Sequence, residues 1–130
     1  MASGQKSLQS AHNGLWIRAW EGPDGHDGWY VDLAGSCQKN EHWHIEQHGD
    51  KVALKMRIMN KYLRAHGDGR VDVADHRLEC EMWTPVRNED GTWSFRSAHG
   101  TWLSSHRSDG RVCTMPSNLR CEQFRLETWW

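Results

Sequence analysis

Four rings stand where a side chain could meet a ligand: Trp20, Trp29, His66 and His106. Trp20, His66 and His106 each lie four residues beyond an anchor ring (Trp16, Tyr62 and Trp102), and Trp29 closes a turn-rich stretch that starts just after Trp20. A sugar stacks its apolar face on an exposed aromatic ring, so these four residues are candidates for a carbohydrate site. A second set is electrostatic. Lys51, Lys55, Arg57, Lys61 and Arg64 concentrate basic charge in the middle of the chain and would steer an acidic partner toward it. His42 and His44 share one face of an extended segment, where two imidazoles can share a transition metal. Only Glu46 continues that face nearby and no cysteine follows at ligand spacing, so no metal is expected. Gly-x-Ser-x-Gly, P-loop and HExxH patterns are absent and the acidic residues fall in turns, so neither catalysis nor a cofactor is expected.

The elements that must position these residues come from a repeat. Asn60-Lys61-Tyr62-Leu63-Arg64-Ala65-His66 is loosely copied in Asn13-Gly14-Leu15-Trp16-Ile17-Arg18-Ala19-Trp20 and in His99-Gly100-Thr101-Trp102-Leu103-Ser104-Ser105-His106. With those anchors aligned, Arg70-Val71-Asp72-Val73 matches Tyr30-Val31-Asp32-Leu33 and Arg111-Val112-Cys113-Thr114, and a ring (Trp43, Trp83, Phe124) follows each valine at constant spacing. Val52-Ala53-Leu54, Trp93-Ser94-Phe95 and Leu8 give a weaker third match. The three copies, at 7–50, 51–91 and 92–130, fill a single domain behind a tail expected to be loose over residues 1–6. The first copy is longer by an insertion over Glu21 to Trp29, whose glycines, proline and aspartates predict a surface turn.

Turn signals arrive about every ten residues and no window sustains helical periodicity, which predicts short strands throughout. Strand parity puts 31 with 33, 71 with 73 and 112 with 114 on the inner face, leaving Asp32, Asp72 and Cys113 outside. In the anchor stretches, Ile17, Leu63 and Leu103 face opposite to Trp16, Tyr62 and Trp102. A barrel capped by a layer of hairpins could bury both sets. Three copies of about four strands make twelve, six for a barrel and six for a hairpin triplet: an all-β fold, the β-trefoil. Trp16, Trp43, Trp83, Trp93 and Trp102 occupy repeat-matched apolar positions and are expected in the core.

A formal charge of −1 on 130 residues gives no global field for nucleic acid, and the short apolar runs give no membrane insertion. With no apolar leader after Met-Ala-Ser-Gly-Gln-Lys and no CxxC pair among Cys37, Cys80, Cys113 and Cys121, reduced thiols and a cytoplasmic location are expected.

Val52-Ala53-Leu54-Lys55, Asn60 to Ala65, Glu81-Met82-Trp83-Thr84 and Ser97 to Leu103 resemble the repeat pattern of the fascin family, best over 51–126. The resemblance implies a β-trefoil and suggests binding to filamentous actin, with the five basic residues as contacts. Fascins carry four such domains and this sequence has room for one, so crosslinking would need a homodimer or two faces. The alternative is a trefoil lectin binding a glycan through the four rings, although the Gln-x-Trp signature of ricin-type lectins is absent.

Overall fold

A computed structural model describes residues 3–21 and 30–129; Trp29 and most of the inserted turn lie outside the described residues. Six strands close a ring. β1 (Gly4–Ser10) pairs with β4 (Trp43–His48), β4 with β5 (Lys51–Met56) and β5 with β8 (Met82–Arg87). From there β8 pairs with β9 (Trp93–Arg96), β9 with β12 (Phe124–Thr128), and β12 returns to β1. All pairings are antiparallel, and the closed circuit leaves the barrel no free edge.

Three hairpins cap it: β2 (Trp16–Trp20) with β3 (Tyr30–Ala34), β6 (Tyr62–Ala65) with β7 (Val71–Ala74), and β10 (Trp102–Ser104) with β11 (Cys113–Met115). Each hangs from the barrel by its anchor ring, through Gln9 opposite Trp16, Lys55 opposite Tyr62 and Arg96 opposite Trp102. The hairpins then bond to one another: Val112 N–H donates to Val31 O (3.0 Å), Leu33 N–H to Gly110 O (2.8 Å) and Thr114 N–H to Gly69 O (2.9 Å). The twelve strands thus form the expected β-trefoil.

The core repeats three times. Leu8, Leu54 and Phe95 on the barrel strands meet Ile17, Leu63 and Leu103 of the hairpins and the rings Trp43, Trp83 and Phe124, all fully buried. Trp43 Nε1–H donates to Ile17 O (3.0 Å) and Trp83 Nε1–H to Leu63 O (3.1 Å), so the two indoles tie barrel to cap.

Three expectations are corrected. Gly4 to Lys6 belong to β1 and not to a loose tail; Lys6 pairs with both Trp43 and Thr128, because closing the ring requires a strand between β4 and β12. Trp16, Trp93 and Trp102 are half-buried, outside the fully buried core: Trp16 and Trp102 lie where hairpins join the barrel, Trp93 begins barrel strand β9 and packs against the core from its margin, and Arg96 reaches over Trp102 (5.9 Å to the ring) as a partial lid. Cys113 is buried, because the residue opposite it is the small, buried Ser104 where the other copies carry arginine.

Before β6 the chain turns through Met59 and Asn60, both at positive φ (67° and 51°), where the corresponding turns use Gly14 and Gly100. Asparagine tolerates that backbone and methionine does not. Met59 is exposed, so Met59→Asn is expected to stabilise the fold by about 0.5–1 kcal/mol, measured as a higher guanidinium midpoint.

Candidate functional site

Cross-strand pairing in the first two hairpins aligns Arg18 with Asp32 and Arg64 with Asp72. Each arginine grips its aspartate with two bonds: Arg18 Nε and Nη2 donate to Asp32 Oδ1 and Oδ2 (2.9 and 2.8 Å), and Arg64 does the same to Asp72 (2.8 and 2.7 Å). The ring two residues after each arginine turns its nitrogen to the same carboxylate. Trp20 Nε1–H donates to Asp32 Oδ2 (3.1 Å), and His66 Nε2 lies 2.9 Å from Asp72 Oδ2, close enough for an ion pair but poorly aligned for a hydrogen bond. The Arg18 guanidinium also lies 4.2 Å over the Trp20 ring. A guanidinium, a carboxylate and a ring thus form one unit on two of the three lobes.

Burial of Asp72 disfavours its charge, yet the two hydrogen bonds from Arg64, with the nearby charge of Arg64 and His66, hold the carboxyl below the usual range. The aspartates in turn push Arg18 and Arg64 upward, chiefly through those side-chain bonds. Behind them sit three buried glutamates, Glu41, Glu81 and Glu122, each ending a short 3-10 turn (Lys39–Glu41, Glu79–Glu81, Arg120–Glu122). Each accepts the backbone N–H three residues earlier, from Gln38 (3.1 Å), Leu78 (3.2 Å) and Leu119 (2.9 Å). Burial raises the Glu41 pKa, against the Gln38 bond and the charge of Arg18. In the third lobe Ser104 replaces the arginine and donates to Glu122 Oε2 (2.5 Å), so no triad forms there.

Of the described ring candidates, His66 and His106 line different cavities. His66 lines a polar groove of about 400 Å³ between the second and third hairpins, with Arg70, Asp72, Arg107 and Arg111. His106 borders a separate, mainly apolar hollow of about 390 Å³ with His12, Met115, Pro116 and Leu119. Trp20 stands with Asp32 on the first lobe, and Trp29 lies outside the described residues. Most of the basic set is engaged within the chain. Lys55 approaches Glu46 (3.8 Å), Lys61 pairs with Asp75, and Arg64 with Asp72. Arg57 donates to His42 Nδ1 (3.0 Å) and covers Trp129, leaving Lys51 without an ion-pair partner among the described residues.

His42 and His44 share a face as expected, but Trp129 occupies it. Its indole stacks on His42 (4.6 Å, 3°) and meets His44 edge-on (5.2 Å). Among the described residues no group of His, Cys, Asp and Glu has metal-site geometry, and the four cysteines are free. Burial pushes the Cys37, Cys113 and Cys121 thiols up.

The arginine–aspartate pairs and the Glu-x-ring series (Glu41-His42-Trp43, Glu81-Met82-Trp83, Glu122-Gln123-Phe124) are what reading the repeats by apolar residues missed. The signal was in the string: an Arg two places after each of the first two anchor rings, an Asp after the valine of the same two copies, and a glutamate two places before each core ring.

These features sit on a fold shared with known proteins. The designed threefold-symmetric protein ThreeFoil superposes with a TM-score of 0.81 at 23% identity, over 95% of this chain and 97% of that one. SeviL, solved bound to asialo-GM1 saccharide, gives 0.81 at 15% over 99% and 100%. The Polyporus squamosus lectin, solved with a human-type influenza-binding epitope, gives 0.80 at 15% over 98% of this chain and 50% of that one. At such identities the likeness establishes the fold alone. The chain is a β-trefoil. No protein-family model matches it, and no curated protein does.

Proposed function

We propose that this β-trefoil is a non-catalytic carbohydrate-binding module whose sites are the ring, carboxylate and guanidinium units of the first two lobes. The observation that carries the reading is their repetition: Trp20 with Asp32 and Arg18, then His66 with Asp72 and Arg64. A pyranose offers vicinal hydroxyls that need an acceptor and a donor held together, and an apolar face that packs on a ring. The second unit also opens on a groove of about 400 Å³, in the size range of small-ligand sites. Trefoils crystallised with saccharides lend support at the level of fold. The actin reading is weaker, since four of its five basic residues are already engaged.

The test is a glycan array followed by calorimetry on the best binder. Asp72→Asn and Asp32→Asn are each expected to weaken binding at least tenfold at the lobe affected, as befits a charge-assisted hydrogen bond of about 1.5 kcal/mol or more. His66→Ala, which leaves the Arg64 pair in place, should weaken it at the second lobe without altering the denaturation midpoint by more than a few tenths of a molar. An array without a binder above background, alongside co-sedimentation with filamentous actin, would replace this reading with the other.

A further inference from the structure

The groove between the second and third hairpins carries an excess of positive charge that a neutral sugar does not need. Three guanidinium side chains, Arg70, Arg107 and Arg111, line it with His66 and a single carboxylate, Asp72. That carboxylate is already matched by Arg64, which is outside the groove. Among the described residues Arg70 pairs with Asp68 (2.8 Å) and Arg107 with Asp109 (2.5 Å), each within its own turn. All four of these side chains are exposed by 44% or more, and such pairs hold an arginine weakly. Arg111 has no carboxylate partner among the described residues; its guanidinium lies 4.5 Å over the Tyr30 ring, which fixes its direction. Arg111 and Arg70 occupy equivalent repeat positions, and the ladder contacts Asp32 with Arg111 and Arg70 with Cys113 lock both backbones to neighbouring hairpins. The groove is thus a paired backbone frame with two exposed donors, Arg70 and Arg107, and a third, Arg111, directed by the Tyr30 ring.

We infer that this groove takes the acidic group, carboxylate or sulfate, of an acidic saccharide. Arginine is suited to the task because its planar fork meets either oxyanion with two parallel bonds. Arg70 and Arg107 can exchange an exposed intraturn partner for the ligand, while Asp72 and His66 remain for the hydroxyls. The inference rests on the carbohydrate reading above and adds the class of sugar.

The experiment compares neutral glycans with their carboxylated and sulfated counterparts, on the array and by calorimetry, at about 50 and 500 mM salt, between which screening of exposed charges rises about threefold. Acidic forms are expected to bind at least tenfold tighter than neutral ones at low salt, with most of the advantage gone at high salt. Arg70→Gln with Arg107→Gln, both at exposed sites, should abolish the preference and bring the affinity for acidic forms down to that for neutral ones. Arg111→Gln is the second variant, with the same expectation. Sodium sulfate alone, titrated while the arginine Nε–H resonances are followed by NMR, should shift those of Arg70, Arg107 and Arg111. Equal affinity for neutral and acidic forms, or a preference that survives the double variant, overturns the inference and leaves the carbohydrate reading standing. Sulfate shifts with no saccharide binding of either kind would keep the anion site and remove the carbohydrate reading.

Discussion

Trp83→Ala is expected to lower the unfolding free energy by about 4 kcal/mol, the middle of the range for emptying a large ring from a packed core. Trp83 is fully buried and bridges two layers: its ring fills the barrel while its Nε1–H satisfies the Leu63 carbonyl of the second hairpin (3.1 Å). Alanine leaves both a cavity and an unmatched carbonyl. Trp83→Phe separates the two effects, because the third lobe already carries Phe124, fully buried, at the corresponding position. The backbone therefore accepts phenylalanine, and the expected loss of about 2 kcal/mol reflects the smaller ring and the orphaned carbonyl. Trp102→Ala serves as the control. Its ring is half-buried at a hairpin junction, and its expected cost is about 1–2 kcal/mol. Guanidinium denaturation with unchanged slope reads all three. Equal costs for Trp83 and Trp102 would mean that the core does not sit at the ring positions.

The same contrast shows what the sequence could and could not disclose. The threefold repeat was legible because hydrophobic burial imposes it: no copy covers its own apolar face, so Ile17, Leu63 and Leu103 recur with Trp43, Trp83 and Phe124 at matched spacing. Parity also placed Asp32 and Asp72 beside, not among, the buried valines, and both are only partly exposed at the surface of the cap. Parity does not measure cover, however. Trp16, Trp93 and Trp102 are as apolar as Trp43, but their depth depends on what the assembled strands pack over them, a tertiary quantity. Cys113 was misplaced for a related reason: its neighbour across the hairpin is Ser104, and only the pairing register reveals that the third lobe lacks the arginine that would hold a polar residue outside.

The candidate site was half legible. The fourth position after each anchor ring identified Trp20 and His66, while their placement beside a carboxylate depends on Arg18 with Asp32 and Arg64 with Asp72 meeting across strands. Those partners are 14 and 8 residues apart in sequence and join only when the hairpins form. The arginine-lined groove is less legible still, since Arg70 and Arg111 come from different repeats.

Trp129→Ala is expected to destabilise the fold by about 3 kcal/mol, less than a central ring because the site lies at the barrel's edge and can partly collapse. Trp129 is 8% exposed, and its Nε1–H donates to Trp43 O (3.0 Å). The substitution should also change how stability depends on pH. His42 lies flat on the indole, and Arg57 donates to its Nδ1 (3.0 Å), so the imidazole is held neutral with that nitrogen as acceptor. Burial, then repulsion from Arg57, pulls its pKa below the ordinary value. The unfolded chain therefore binds this proton more readily than the folded one. The stabilisation is complete above the unfolded pKa of about 6.5 and is lost as pH falls from there through the folded pKa. Wild-type protein should accordingly lose thermal stability between about pH 7.5 and 5.5, the range that brackets free histidine. In Trp129→Ala the imidazole is open to water, its pKa moves back toward the free value, and this part of the loss shrinks. Melting curves at both pH values, with the His42 titration followed by NMR, check the two effects together. An unchanged pH dependence in the variant would mean that the indole covers Trp43 without setting the protonation of His42.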